Sequence, residues 1–306
     1  MGSYFYKAFG LTIESEIDME RLSQADAKCA PGVSVLWGDV PESISTPNIN
    51  QPQFQANAGE MLLRVKGVAN FYVCDGKRIV ISPCGSRDAP LLRIYLLGSC
   101  FGALLQQRGT LALHGSCVSK NGRSMLLTGA SGAGKSTLAT TFLAHGWKLL
   151  SDDVTPVYLR GETCYACPSY PSQKLWEDAL SHHDAERRSF GVAWEEKGRA
   201  KHTLDASEYF SAEEAELDAV CVLSLIKGER VKIVSIDRFT KVDWLMKNTY
   251  RADMIAGIQG KQAQFRNCVN IGKRVRMLHI GRPEGMRTES EIALRVFELL
   301  WKENRK

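Results

Sequence analysis

Residues 129–137 constrain the fold of this chain more than any other stretch: Gly129, Ala130, Ser131, Gly132, Ala133, Gly134, Lys135, Ser136 and Thr137. Apolar Met125, Leu126 and Leu127 lead in, and Leu138, Phe142 and Leu143 follow at helical spacing, so a strand must turn sharply into a helix here. The glycines let the backbone curl until several amides point inward, and the first helical turn adds the positive end of its dipole. Such a cradle suits a triphosphate. Lys135 would then reach the β and γ phosphates, and Ser136 would offer its hydroxyl to Mg²⁺. A plain strand-to-helix turn leaves a lysine at that position without a reason.

Asp152 and Asp153 come after one helix ending near His145 and Gly146 and one short strand from Trp147 to Ser151. A strand–loop–helix–strand unit returns the tip of its second strand to the edge where the loop lies, so both carboxylates arrive beside the γ phosphate. One carboxylate can hold Mg²⁺ directly or through water; the other can take a proton from an attacking hydroxyl. Upstream, residues 110–118 and 124–128 read as two strands joined through Asn121-Gly122, a dipeptide suited to a type I′ turn. Counting from that turn pairs Lys120 with Arg123 and Val118 with Met125, and sets His114 opposite Gly129. The imidazole then stands at the mouth of the loop, able to bond an aspartate or a phosphate oxygen.

Leu113-His114-Gly115, the loop from Gly129 to Ser136 and the segment at 146–153 resemble the catalytic core of HPr kinase, a bacterial protein-serine kinase with a fold related to phosphoenolpyruvate carboxykinase. The resemblance implies an α/β P-loop catalytic domain, with Lys135 as phosphate clamp and Ser136 as a Mg²⁺ ligand. It also implies Asp152 in the metal and hydrogen-bond network, Asp153 as general base, and His114 beside the acidic pair. Thr137 stands where HPr kinase has a Glu, and its R-G-L-G-I-I-N signature, tied to HPr recognition and the reverse reaction, is absent. The HPr kinase-like enzymes encoded with lasso peptide clusters are a nearer likeness. Residues 4–13, Gln173-Lys174-Leu175-Trp176, Asn248-Thr249-Tyr250-Arg251 and Gly281-Arg282-Pro283 resemble that group in the same order along the chain. The implied activity is ATP- and Mg²⁺-dependent phosphorylation of a precursor peptide at its C-terminal Ser. Alternatives are a P-loop kinase of a small molecule or regulatory protein, and a nucleotide sensor without transfer; a second acid beside Mg²⁺ favours an enzyme.

Lys and Arg exceed Asp and Glu by 39 to 34, a net charge of +5. That balance helps attract an acidic peptide or nucleotide and is too small to point to nucleic acid. No apolar run approaches the ~20 residues needed to span a bilayer, and the N-terminus lacks a secretory pattern, which implies a cytoplasmic enzyme without a membrane partner. The nine cysteines then read as reduced thiols; Cys164 and Cys167 form a lone C-x-x-C without a second ligand pair, and His182-His183 does not complete one.

The organisation reads in two parts. Residues 1–90 carry short β-branched and aromatic segments (5–13, 33–37, 61–65, 71–73, 78–81) broken by Gly, Pro and Asn, a small β-rich domain able to recognise a peptide. Residues 47–52 read as a loop. Residues 91–306 form the catalytic domain, beginning with a buried helix over 91–106 that carries Leu92, Tyr95, Leu96, Cys100, Leu104 and Leu105. Strands at 219–227, 232–236 and 275–280 extend its sheet, and the last helix sets Ile292, Val296, Leu299 and Leu300 on one face. Lys174, Arg199, Lys201 and Arg251 are candidate cations for the transferring phosphoryl group. Arg251 ranks first, at a helix start, and residues 199–201 after Gly198 have the polarity of a mobile lid.

Overall fold

The computed structural model describes residues 2–180, 189–196 and 198–302, so His182 and His183 lie outside the described residues. The chain forms two compact units, one of residues 1–112 and 249–268, the other of 113–248 and 269–306. The division falls later than residue 90, and the first unit takes back a segment from far down the chain.

The first unit is built on a nine-stranded sheet: β1 (Tyr4–Ala8), β2 (Leu11–Ser15), β3 (Ser23–Gln24), β4 (Val33–Trp37), β5 (Ile49–Gln51), β6 (Phe54–Ala56), β7 (Glu60–Val65), β8 (Ala69–Cys74) and β9 (Arg78–Pro83), in the order β3-β1-β2-β4-β9-β8-β7-β6-β5. The apolar run at 5–13 is two strands, because Phe9 (φ 58°) and Gly10 (φ 72°) turn it back on itself. The expected loop at 47–52 contains edge strand β5, paired with β6. Helices α1 (Pro90–Tyr95) and α2 (Phe101–Gln107) are joined by a π-helical turn, Leu96–Cys100. Leu92, Leu96, Cys100, Phe101 and Leu104 are fully buried, and Phe101 stacks on Phe9 with ring centroids 5.0 Å apart. Burying such side chains contributes about 1.5–3 kcal/mol each. This is why the segment belongs with the sheet before it.

Tyr250 lies against the same helical segment. A methyl on Gly98 would meet its hydroxyl oxygen at 2.9 Å and one on Gly102 its ring at 2.9 Å, so the two glycines make the groove that the ring occupies. Tyr250 N donates to Ala112 O (2.8 Å), and Gln106 Nε2 donates to Tyr250 O (3.1 Å).

The second unit has its own sheet, from β10 (Leu111–His114), β11 (Ser116–Lys120), β12 (Arg123–Gly129), β13 (Lys148–Ser151), β14 (Val154–Arg160), β15 (Thr163–Ala166), β19 (Ala215–Ile226), β20 (Lys232–Ser235) and β21 (Arg276–Pro283). The order β10-β14-β15-β19-β12-β11-β13 continues through β21, which pairs with β19 and β20. Helix α3 (Lys135–Ala144) links β12 to β13. Both strands run antiparallel to β11 between them, so they are parallel to each other and their C-terminal tips share one edge. A separate three-stranded sheet holds β16 (Ser172–Trp176), β17 (Ser189–Glu196) and β18 (Arg199–Asp205), with α4 (Glu177–Leu180) after β16. Residues 199–201, expected as a lid, are the start of β18, paired with Trp176 and with β17.

The remaining helices are α5 (Arg238–Lys247), α6 (Ala252–Ile255), α7 (Lys261–Gly272) and α8 (Glu289–Phe297). Leu138, Phe142 and Leu143 of α3 share a core with Val118, Met125, Leu127 and Leu223 of the sheet and with Ile292, Val296 and Leu300. Leu299, expected on that face, is 40% exposed: the chain widens into a π turn at Glu298–Lys302 and rotates it outward. Trp147 packs edge-on against Phe142 (5.2 Å) and Trp301 (5.1 Å). Among the described residues no helix is long and apolar enough to cross a membrane.

Candidate active site

β12 ends at Gly129, where only glycine fits: φ is 129° and a methyl would stand 2.1 Å from Leu223 O on the adjoining strand. Gly132 (φ 79°) and Gly134 (φ 94°) continue the curl in backbone conformations that L-residues adopt at a cost. α3 begins at Lys135 with Gly134 as its N-cap, no capping side chain and no acid in its first turn, so its leading amides are available to an anion. Lys135 is folded back on the loop, its Nζ donating to Gly129 O (2.9 Å) and Ala130 O (3.0 Å). Burial, and then Lys201, pull its ammonium down to about 8 against the opposing pull of Asp152 and Asp153.

Asp152 and Asp153 follow β13, with their side chains directed to different partners because Asp153 sits in the left-handed region (φ 78°). Asp152 is buried. Its Oδ1 accepts from Ser116 Oγ and from Ser136 Oγ (3.4 Å), and its Oδ2 accepts from the Lys174 amide (2.7 Å). Asp153 Oδ2 pairs with Lys174 Nζ (2.8 Å) and Oδ1 with His114 Nδ1 (3.2 Å). Burial alone would raise the Asp153 carboxyl, but Lys174 and His114 together hold it well below the usual carboxylate range. Lys174 therefore touches both acids, one through its backbone and one through its ammonium. Ser136 O is in turn tied to Gln173 Nε2 (3.1 Å) and Thr140 Oγ1 (3.0 Å).

His114 reaches this pair by a route the hairpin count does not give. The β11–β12 ladder runs from Lys120↔Arg123 to Ser116↔Leu127, and Asn121 and Gly122 both have the positive φ of a type I′ turn. It stops at Gly115, where a methyl would lie 2.3 Å from Leu127 O. β10 then pairs with β14, so His114 is not the ladder partner of Gly129. Its carbonyl accepts from Thr128 Oγ1 and its amide donates to Asn248 O (2.8 Å).

His114, Lys135, Ser136, Thr137, Asp152 and Asp153 line one cavity of about 500 Å³, with Lys201, Trp176 and Arg282 also on its wall. Lys201 Nζ lies 5.5 Å above the Trp176 ring. Arg251 belongs to the first unit, where it caps α6 with a φ of 51°, and is not among the residues lining this cavity. Ser116 is a site residue that the sequence patterns do not single out, and Arg282 is one to which the string at 281–283 assigns no role. Ser116 arrives because β13 pairs with β11, which sets Cys117 opposite Ser151 and so Ser116 beside Asp152. Cys164 and Cys167 are buried thiols pushed up to about 12 by burial, away from the thiolate form that metals and redox partners need.

The donors formed by Ser136 and Asp152 are a hydroxyl and a carboxylate. This all-oxygen pair fits a hard cation such as Mg²⁺, which takes one or two protein ligands and completes its shell with phosphate and water. Among the described residues no group of three or more His, Cys, Asp or Glu forms a cage of the kind that other metals use.

Fold and site thus define a mixed α/β protein built around a phosphate loop that opposes an acidic pair. Comparison with known proteins adds that part of this core is similar in sequence to HPr kinase/phosphorylases. Residues 79–190 match the family described as SynChlorMet cassette protein ScmC. The sequence named HPr kinase/phosphorylase 2 in Oceanobacillus iheyensis is 32% identical over 114 residues, 33% of this chain and 37% of that protein. The HPr kinase/phosphorylase of Lactobacillus delbrueckii subsp. bulgaricus is 36% identical over 75 residues, 24% of this chain and 23% of that protein. The matched segments thus span little more than a third of these relatives at most. The solved Hpr(Ser) kinase/phosphatase from Coxiella burnetii aligns with 63% of this chain and 92% of its own at 13% identity, with a TM-score of 0.33.

Proposed function

We propose that the protein is an ATP- and Mg²⁺-dependent kinase that phosphorylates a Ser hydroxyl of a ribosomally made peptide, the C-terminal Ser of a lasso peptide precursor. The observation that carries the kinase reading is the convergence of Lys135, Ser136, Asp152, Asp153 and His114 on one cavity. Ser136 and Asp152 would hold Mg²⁺, which when bound supplies positive charge to the triphosphate. The loop amides and Lys135 would fix the phosphates. Asp153 would orient the acceptor hydroxyl: as its oxygen bonds to the γ phosphorus and the bond to ADP breaks, the proton passes to the carboxylate. Lys174 and His114 keep that carboxylate ionised and ready, and its low proton affinity suits a loose transition state in which the proton moves late.

The peptide acceptor is supported by the ordered short strings at 4–13, 173–176, 248–251 and 281–283, and by the absence of the R-G-L-G-I-I-N signature. The working site is a cytoplasmic one, without nucleic acid or membrane as partner. The test offers the protein ATP and Mg²⁺ with HPr, with a cognate precursor ending in Ser, and with the same precursor ending in Ala. Mass spectrometry should find one added phosphoryl group on the Ser-bearing precursor alone. Efficient labelling of HPr, or equal labelling of the Ala peptide, would overturn the acceptor assignment.

A further inference from the structure

Arg282 stands at the end of β21, whose register can be traced to the phosphate loop. Gly129 is level with Leu223 on β19, and Leu223 with Ile280 on β21, so Arg282, paired with Leu225, stands two residues beyond the level where the loop begins. Its guanidinium comes up against the last glycine of that loop: a methyl on Gly134 would stand only 2.0 Å from Arg282 Nη1. The side chain is 14% exposed, and its described hydrogen bonds all fall on Nη2, to Glu289 Oε1 (3.1 Å) and Met286 O (3.1 Å). The buried Nε has no partner.

A guanidinium that served only to tie the loop after β21 to α8 would have no need to press on the phosphate loop. The loop's own lysine is meanwhile turned onto the carbonyls of Gly129 and Ala130. An anion entering the cradle would find in Arg282 a rigid planar cation, anchored through Nη2 by Glu289 and with Nη1 on the side of the loop.

We propose that Arg282 is a catalytic residue that binds the γ phosphate of the nucleotide through Nη1 and stabilises the charge spread over its oxygens during transfer. This rests on the kinase reading. Glu289 fixes the far edge of the guanidinium, so the arm is set before the nucleotide arrives, and the absence of a side chain at Gly134 makes room for it.

The test measures binding of ADP and of a non-hydrolysable ATP analogue, together with single-turnover transfer from ATP, for the full-length protein and its Arg282→Ala, Arg282→Lys and Glu289→Gln variants. Arg282→Ala should bind ADP within about twofold of the parent, bind the triphosphate analogue about tenfold or more weakly, and transfer phosphate about 10²-fold or more slowly, the range for removing one preorganised donor. Added guanidinium ion should restore part of that rate. Arg282→Lys keeps the charge but not the planar guanidinium and should remain slow; it carries the test if the Ala variant does not fold. Glu289→Gln should lose much less than either. Equal losses for ADP and the triphosphate, or a Glu289→Gln defect as large as that of Arg282→Ala, would overturn the assignment in favour of a structural ion pair. A parent protein that binds neither nucleotide would instead refute the kinase reading, so the two failures are distinguishable.

Discussion

Replacing Lys174 with Met keeps the length of the side chain and removes the ammonium that Asp153 depends on. Side-chain exposure is 11% for Lys174 and 17% for Asp153, so this is a mostly buried pair at 2.8 Å. Breaking such a pair by deleting one partner costs about 3–5 kcal/mol, and the lower end applies because His114 stays on Oδ1. We expect about 3 kcal/mol at pH 7. The pH dependence follows from the direction of the shift: the Asp153 carboxyl is held below its ordinary range, so its contribution is complete above the unfolded value of about 3.9 and is lost as pH falls through the folded value. In the variant, burial is opposed only by His114 and the carboxyl moves up. Protonation then removes the uncompensated charge, and the gap between parent and variant should narrow as pH falls towards 4. Urea unfolding followed by tryptophan fluorescence suits the question, since Trp147, Trp176, Trp194, Trp244 and Trp301 all lie in the second unit and Trp37 alone in the first. A loss below about 1 kcal/mol at pH 7, or purely additive losses when Asp153→Asn is combined with Lys174→Met, would refute the pairing argument.

Nucleotide affinity should be level below pH 8 and fall by up to about tenfold per pH unit above it, because Lys135 loses its proton near 8 in the free protein and phosphate needs the ammonium. Calorimetric titrations from pH 7 to 9.5 should show a flat profile for Lys135→Arg and a midpoint moved upward in Lys201→Gln; an unchanged parent affinity across that range would disprove the shift. Gly134→Ala combines a φ of 94° with a contact at 2.0 Å to Arg282, so it should cost more than about 1 kcal/mol of stability, read by thermal unfolding. The double variant with Arg282→Ala should recover the part due to the clash.

The parts of the site legible in the sequence are those fixed by local chemistry. The loop at 129–136, the Asn121-Gly122 turn and the helix stop at Gly146, where φ is 77°, each depend on residues within a few positions of one another. The acidic pair is placed by the parallel β12–α3–β13 unit, which the motif itself implies. What escaped depends on pairing at a distance. That β10 would leave the hairpin for β14, and that β13 would lie on β11 and bring Ser116 to Asp152, is decided by strands no local pattern names. Polarity at 199–201 reads as a lid and equally as a strand in a small sheet beside a charged cavity, and the strand pairing with Trp176 is not visible locally. The sequence places Arg251 with the catalytic cations through its neighbours in the chain; the packing of Tyr250 onto Gly98 and Gly102, which puts its segment in the first unit, depends on contacts about 150 residues apart that no local pattern carries.

That return of residues 249–268 has a consequence for how the chain can be made and taken apart. On the ribosome, the first unit must wait for Tyr250 to fill the groove at Gly98 and Gly102, by which time residues 113–248 have already emerged. The second unit in turn waits for β21 and α8. Neither can close as an early, self-contained intermediate, so the usual N-terminal-first order is denied to this chain, and its late, long-range contacts should make folding slow. No single cut releases a whole unit. A fragment ending at Ala112 leaves that groove bare, whereas a faithful copy of the phosphate-loop unit must delete 249–268 and splice Asn248 to Val269.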